Sequence, residues 1–315
     1  MSERTGIKTA RLFLPMNIAV IIPTLNAGPD WETLLLAIRR QSLQPDDVIV
    51  IDSSSTDGTA ERARAAGFTV IEISRGTFSH GGTRQAAALS APRADILIYL
   101  TQDAVPHGTE AFRHLVAAFR DPAVGATYGR QLPRPHASAI EAHARLFNYR
   151  PVSQLRSWES RTALGFKSIF FSNAFGAFRR DALMSVGGFS PEVSFGEDTL
   201  AVAHLHRAGW KTAYVAEAVV EHSHAHSIRA EFRRYLEIGI LHERERWLLE
   251  EFGAADGEAR RFVISELRYL STNAPHHIPS AMLRTLAKYV AYRTGRLKGS
   301  SLTPARRNMA EKAEG

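Results

Sequence analysis

The chain has 315 residues, 44% hydrophobic and 23% charged, with 39 Lys and Arg against 32 Asp and Glu for a formal charge of +7. That size and balance suit one large or two medium globular domains, and the positive charge favours anionic partners such as nucleotides, phospholipids or nucleic acid. No run reaches the roughly 18 apolar residues that span a bilayer, and the absence of cysteine excludes disulfides and thiolate metal sites, as suits a reducing cytoplasm.

In chain order, residues 1–16 form an N-terminal extension with basic Arg4, Lys8 and Arg11. The apolar stretch Leu12 to Leu25 is broken by Pro15 and Pro23 and lacks a small-residue cleavage site, so a buried strand is expected rather than a signal peptide. Asn17 to Ile22 is a continuous β-branched run, as in a strand covered on both faces. Trp31 to Gln41 follows with Leu34, Leu35 and Ile38 on one helical face. Asp47 to Ile51 is a second strand. Thr59 is placed to cap a helix over Ala60 to Ala66, which Gly67 ends. A third strand spans Thr69 to Ile73, and a helix starts over Thr83 to Leu89. A fourth strand, Asp95 to Leu100, precedes a helix over Glu110 to Phe119.

This alternation predicts a parallel sheet between helices. Beyond Val124 the pattern loosens. Ala126 to Tyr128, Ser168 to Phe178 and Thr212 to Val220 are candidate strands, Gln131 to Pro151 reads as loop with short helix, and Thr199 to Ala208 as helix. After His226 the chain turns helical and basic.

Ligands of an open parallel sheet bind beyond the carboxyl ends of its strands. There the sequence places Pro23, Thr24, Leu25 and Asn26, then Asp52 to Gly58, then Thr101, Gln102 and Asp103. Three strands thus end in short polar side chains able to bond a nucleotide, although Asp57 and Gly58 equally suit a simple turn. A departing nucleotide diphosphate needs its charge neutralised, and the hard cations Mg2+ or Mn2+ that do so want oxygen ligands. Asp103 is the candidate ligand. Arg84 offers a permanent charge, or else is a solvated helix arginine, and Gly81 and Gly82 let backbone approach a ligand.

Glu197 and Asp198 begin a helix whose dipole would stabilise carboxylates in any case; functionally, one of them can take the proton of an acceptor hydroxyl. His222, His224 and His226 alternate after the last strand. No zinc spacing accompanies them, so one of them, His222, is expected as a single metal ligand.

Taken together, PTLN (Pro23 to Asn26), DSSSTDGT (Asp52 to Thr59), TRQAA (Thr83 to Ala87), TQDA (Thr101 to Ala104), FGAFRRDALMSVGGF (Phe175 to Phe189), GED (Gly196 to Asp198), AGWK (Ala208 to Lys211) and EH (Glu221 to His222) resemble the inverting family-2 glycosyltransferases of GT-A fold. The resemblance covers about Asn17 to Ser227. It implies an α/β GT-A catalytic domain over 17–227, a Rossmann-like and mostly parallel sheet flanked by helices. Its nucleotide-sugar half would span 17–125 and its acceptor half 126–227, followed by a helical basic region over 228–315. It further implies nucleotide-sugar contacts from Pro23, Thr24, Asn26, Asp52, Ser54, Arg84, Gln102 and Asp103. Mg2+ or Mn2+ would be held by Asp103 and His222, Asp198 would be the base, and Asn173, Glu197 and Trp210 would face the acceptor.

Thr101 stands where the family's DxD motif has its first carboxylate. That change, DSSS in place of DDGS, and FSHGGTR before the helix resemble the bacterial rhamnosyltransferases. These use dTDP-L-rhamnose on cell-surface glycans or lipid-linked acceptors; Gln85 replaces the Asn expected there. Other UDP- or GDP-linked donors are the alternative.

Two rival classes fit the sequence less well. A nicotinamide oxidoreductase lacks its GxGxxG after the first strand, and a non-catalytic nucleotide-, glycan- or nucleic-acid-binding protein leaves the clustered acids without a purpose; no nucleic-acid motif is present. The tail carries Arg284, Lys288, Arg293, Arg296, Lys298, Arg306 and Arg307, with Glu311 and Glu314 its only acids after Ser280. Leu283, Leu286, Ala287, Val290 and Ala291 give it an apolar face, fit either to pack on the catalytic domain or to lie on anionic lipid as a peripheral contact at the inner face of the membrane.

Overall fold

The computed structural model describes residues 16–223, 226–253 and 256–313. The expected extension up to Pro15, His224, and the side chains of Arg306, Arg307 and Glu311 lie outside the described residues, as does Glu314. The first half runs β1 (Ile18–Thr24), α1 (Trp31–Arg39), β2 (Asp47–Asp52), α2 (Thr59–Ala65), β3 (Thr69–Glu72), α3 (His80–Ser90), β4 (Ile96–Leu100), β5 (Val105–Pro106) and α4 (Ala111–Ala117). Then come β6 (Val124–Leu132), α5 (Ala139–Asn148), β7 (Gln154–Arg156), α6 (Arg161–Leu164), β8 (Phe175–Arg179), α7 (Arg180–Ser185), α8 (Glu197–Arg207) and β9 (Lys211–Glu221). Four helices follow: α9 (Ile228–Arg244), α10 (Trp247–Phe252), α11 (Asp256–Asn273) and α12 (Ile278–Ala313).

Among the described residues nine strands join one sheet, ordered β3-β2-β1-β4-β8-β6-β9-β5, with β7 on the outside of β9. β1 to β4 are parallel, β8 runs antiparallel to β4 and β6, and β6 is parallel to β9. Alternation along β1 shows why the sheet is buried on both faces. Ala19 and Ile21 enter a core shared with Ala87 of α3, Leu183 of α7 and Leu200 of α8. Ile18, Val20 and Ile22 enter the opposite core, with Leu34 of α1, Ala63 of α2 and Phe112 of α4. Pro23 is tolerated because β4 pairs with β1 only as far as Ile21, leaving that edge of β1 without a partner at Pro23.

Several expectations change. The expected strand Ser168 to Phe178 begins only at Phe175, because Ser168 Oγ donates to the Gly165 carbonyl (2.7 Å) and closes a 3-10 turn. The stretch Gln131 to Pro151 is more ordered than expected. β6 continues through Leu132, and α5 is fixed by a capping box in which Ser138 N–H donates to Glu141 Oε2 at 2.8 Å. Thr59 is not a cap; Gly58, at φ +81, precedes α2, and the Thr59 hydroxyl donates to Asp57 Oδ1 at 2.6 Å. α3 starts earlier than Thr83, with Ser79 Oγ accepting from Gly82 N–H at 3.0 Å.

Gly81 serves a different purpose from the one expected. A Cβ there would lie 1.9 Å from the Ser190 carbonyl oxygen, so this glycine admits backbone of its own chain rather than a ligand. The close approach seats the N-terminus of α3 against the segment leading into α8. Gly81→Ala should therefore force the two apart and cost about 1–3 kcal/mol, as overpacking does. Urea unfolding checks this; an unchanged midpoint would mean that the Ser190 segment yields freely.

Candidate active site

The carboxyl ends of β1, β2 and β4 share one rim. Asp52 is buried at the end of β2 and holds that rim together. It accepts from Thr24 Oγ1 (2.9 Å), Ser55 Oγ (2.6 Å) and Ser55 N–H (2.8 Å). Gln102 clamps the first loop to the fourth by accepting from Leu25 N–H (2.8 Å) and donating to the Leu25 carbonyl (3.2 Å). Asn26, at φ +46, accepts from Thr56 N–H through Oδ1 (2.8 Å), while Ser54, at φ +60, donates to the Ile73 carbonyl (2.9 Å). Asp57 accepts from Thr59 and Gly28; the Thr59 hydroxyl bond, foremost, holds its carboxyl below the usual range. The rim is thus braced by the side chains expected to contact donor: Thr24, Asn26, Asp52, Ser54 and Gln102 shape it, whatever else they touch.

Asp103 follows β4 and His222 follows β9, and the sheet order brings them together: His222 Nε2 lies 3.4 Å from Asp103 Oδ2. The His222 ring is set from behind. Gln131, near the end of β6, donates through Nε2 to Ser172 Oγ (2.9 Å), so its Oε1 accepts from His222 Nδ1–H at 2.8 Å. That tautomer turns the lone pair of Nε2 toward the Asp103 carboxylate, an arrangement that a cation stabilises. Burial, foremost, pushes the His222 pKa down, which favours the neutral ligating ring. Thr101 Oγ1 is enclosed without a hydrogen-bond partner, so the missing first carboxylate is not replaced. Among the described residues no three ligating side chains converge. Asp103 and His222 therefore fit a cation completed by diphosphate oxygens and water, as magnesium favours.

Across the crevice, α8 begins at Gly196, at φ +87, and presents two carboxylates. Glu197 forms a buried ion pair with Arg84 of α3, their side chains 5% and 6% exposed, and also accepts from Asn173 Nδ2 at 3.3 Å. Asp198 is half-buried. Its Oδ2 accepts from Asn173 N–H (3.1 Å) and its Oδ1 from Thr199 N–H (2.7 Å). Desolvation, reinforced by the charge of Glu197, raises its pKa to about 6. A carboxylate so tuned is ionised near neutral pH yet basic enough to accept a proton. The charges of Asp198 and Arg145 both act on Tyr149, and that of Asp103 on Arg145, so the two carboxylate corners lie within electrostatic reach of common neighbours.

The structure places three more of the expected residues. Arg84 is not a solvated helix arginine; it is buried and paired with Glu197. Glu197 is accordingly engaged within the protein, by Arg84 and by Asn173. Trp210 precedes β9, whereas His222 follows it, so it stands at the opposite end of an 11-residue strand, where it lies beside Gly125 and packs on the core. Asn173, by contrast, reaches the site. Sequence reasoning missed Gln131, Arg134 and Arg145. Arg134 Nη2 donates to the Asp103 carbonyl (2.7 Å) and Arg145 Nε to the His222 carbonyl (2.8 Å). All three fall in the polar stretch taken for loop; the Ser-x-x-Glu signature at Ser138 was the available signal that it is structured. Gln85 accepts from Phe189 N–H at 2.9 Å, tying α3 to the turn before α8.

The family model for glycosyltransferase like family 2 matches residues 15–244. The chain is 43% identical over 282 residues to the O-antigen chain rhamnosyltransferase RfbN of Salmonella typhimurium, covering 89% of this chain and 90% of that protein. To the O-antigen chain rhamnosyltransferase WbaN of Salmonella anatum it is 41% identical over 281 residues, 89% of each chain. Among solved structures, the mannosyltransferase PcManGT from Pyrobaculum calidifontis, in complex with GDP-Man and Mn2+, superposes with a TM-score of 0.58 at 21% identity, over 94% of this chain and 88% of that one. That likeness speaks for the fold.

The Arg84–Glu197 pair gives the site its own test. Arg84→Met leaves a buried carboxylate unmatched and should cost about 3–5 kcal/mol of stability. The double variant Arg84→Met, Glu197→Gln removes both charges and should recover most of that loss. Additive losses in chemical denaturation would show that the two side chains do not depend on each other.

Proposed function

The chain belongs to glycosyltransferase like family 2, and from that premise we propose that it transfers L-rhamnose from dTDP-L-rhamnose onto a bacterial cell-surface glycan, with a lipid-linked acceptor. The observation that carries this reading is near-full-length identity above 40% to two O-antigen chain rhamnosyltransferases.

The mechanism is a single displacement with inversion. The acceptor hydroxyl oxygen forms a bond to the anomeric carbon as the bond from that carbon to the diphosphate oxygen breaks. The hydroxyl proton passes to Asp198, whose raised pKa suits a base at neutral pH. Asn173 holds Asp198 through its backbone N–H. Asp103 and His222 would hold Mg2+ or Mn2+, with Gln131 fixing the imidazole from behind. When bound there, the cation neutralises charge developing on the leaving diphosphate. Arg134 and Arg145 grip the backbone of both ligands, so the corner is held before donor arrives. The braced rim at Thr24, Asp52 and Gln102 presents the exposed loop at Leu25 and Asn26 to the nucleotide.

With dTDP-L-rhamnose, a divalent cation and a membrane-extracted glycolipid acceptor, transfer should be at least about 100-fold faster than with UDP-glucose, UDP-galactose or GDP-mannose, since a site that hydrogen-bonds its substrate discriminates strongly. Asp198→Asn should remove at least about 99% of transfer, the scale of general-base catalysis, and leave dTDP binding unchanged. Preference for another donor would overturn the rhamnose assignment, and full activity in Asp198→Asn would remove Asp198 from the base role.

A further inference from the structure

The long C-terminal helix wears its polarity inside out. On the side packed along α9, α12 carries charge: Arg284 pairs with Glu231 (3.0 Å), Lys288 with Glu231 (3.5 Å) and Arg296 with Glu243 (2.7 Å). Glycines make that contact close. A Cβ on Gly295 would stand 2.1 Å from the Leu236 carbonyl oxygen, and one on Gly239 2.3 Å from that of Tyr292. The apolar side chains point the other way. Met282, Leu283, Leu286, Tyr289, Val290 and Leu297 are 45% to 73% exposed. Their spacing puts them on one stripe along about 22 Å of helix.

Arg293 and Lys298, both exposed, stand in or beside this stripe, and the sequence holds no acid from Ala281 to Ala310. We propose that the outer face of α12 docks on an anionic phospholipid surface. The apolar stripe would enter the headgroup boundary, Tyr289 would sit at headgroup level, and the two cations would snorkel to phosphates. A second copy of the chain fits this face less well. A two-fold contact through it brings the cations of both copies together with no carboxylate between them.

The position of the helix joins this surface to the site. Arg284 Nη1 donates to the His226 carbonyl (2.8 Å), four residues beyond His222. The bond sets the start of α12 beside the segment that follows His222. The inference rests on the reading of a lipid-linked acceptor and explains how such an acceptor reaches a chain in which, among the described residues, no helix is long and apolar enough to cross a membrane.

The test uses the full chain with phosphatidylcholine vesicles, with and without phosphatidylglycerol. The protein should sediment with the anionic vesicles, and less so at high salt. The double variant Leu286→Glu, Val290→Glu, altered only on the outer face, should bind at least about tenfold more weakly. It should still transfer rhamnose to a detergent-dispersed acceptor. No sedimentation of the parent chain, undiminished binding by the variant, or a solution dimer split by the same substitutions would overturn the proposal. Vesicle binding by a chain that transfers no rhamnose would support this surface and overturn the donor assignment instead.

Discussion

A single buried ion pair joins the two halves of the crevice. Arg84 rises from α3, which follows β3, and Glu197 opens α8. Taking both charges out of water is tolerable only because each meets the other and Asn173 adds a further bond to Glu197. The pair cannot form unless α3 comes down onto the Ser190 segment, which Gly81 permits and any larger residue would obstruct. With Glu197 fixed, its neighbour Asp198 is fixed too, in a place where burial and an adjacent negative charge make the carboxylate more basic. The constraint that closes the fold is therefore also what raises the pKa of Asp198.

Opposite this pair, the fold solves the loss of a metal-binding carboxylate by organisation. Thr101 contributes no ligand, yet Asp103 and His222 are held from several directions at once. Arg134 and Arg145 bind their backbone carbonyls, and the chain from Ser172 through Gln131 selects the imidazole tautomer. Should Asp103 and His222 hold a cation, as proposed, most of its coordination would be left to groups other than protein side chains. The nucleotide rim follows the same logic. Its polar side chains satisfy one another first, which makes the loop shape independent of ligand.

The sequence made the parallel half legible because β1 to β4 are apolar runs separated by helical spacing, and that signal needs no tertiary knowledge. Asp103, Asp198 and His222 were singled out because each follows a strand or opens a helix whose boundary was legible. What failed were positions decided by long-range contacts. Arg84 looked like a free cation because Glu197 is 113 positions away in the chain. Trp210 was placed at the acceptor by the resemblance alone, and β9 sets it at the far end of a strand from His222. Ser168 lost its strand to a local hydroxyl bond. In α12 the apolar face was legible and its direction was not, since glycine-mediated packing with α9 turned charge inward.

The central claim is that Asp198 is the proton acceptor and that its surroundings set it for neutral pH. The most direct measurement is the pH dependence of kcat/KM for rhamnosyl transfer, with donor and cation held constant. A base must be ionised to act, so activity should fall on the acid side with an apparent pKa of about 6, the value to which burial and Glu197 raise this carboxylate. A rate that stays level down through pH ~4, the ordinary range of an exposed aspartate, would contradict the account.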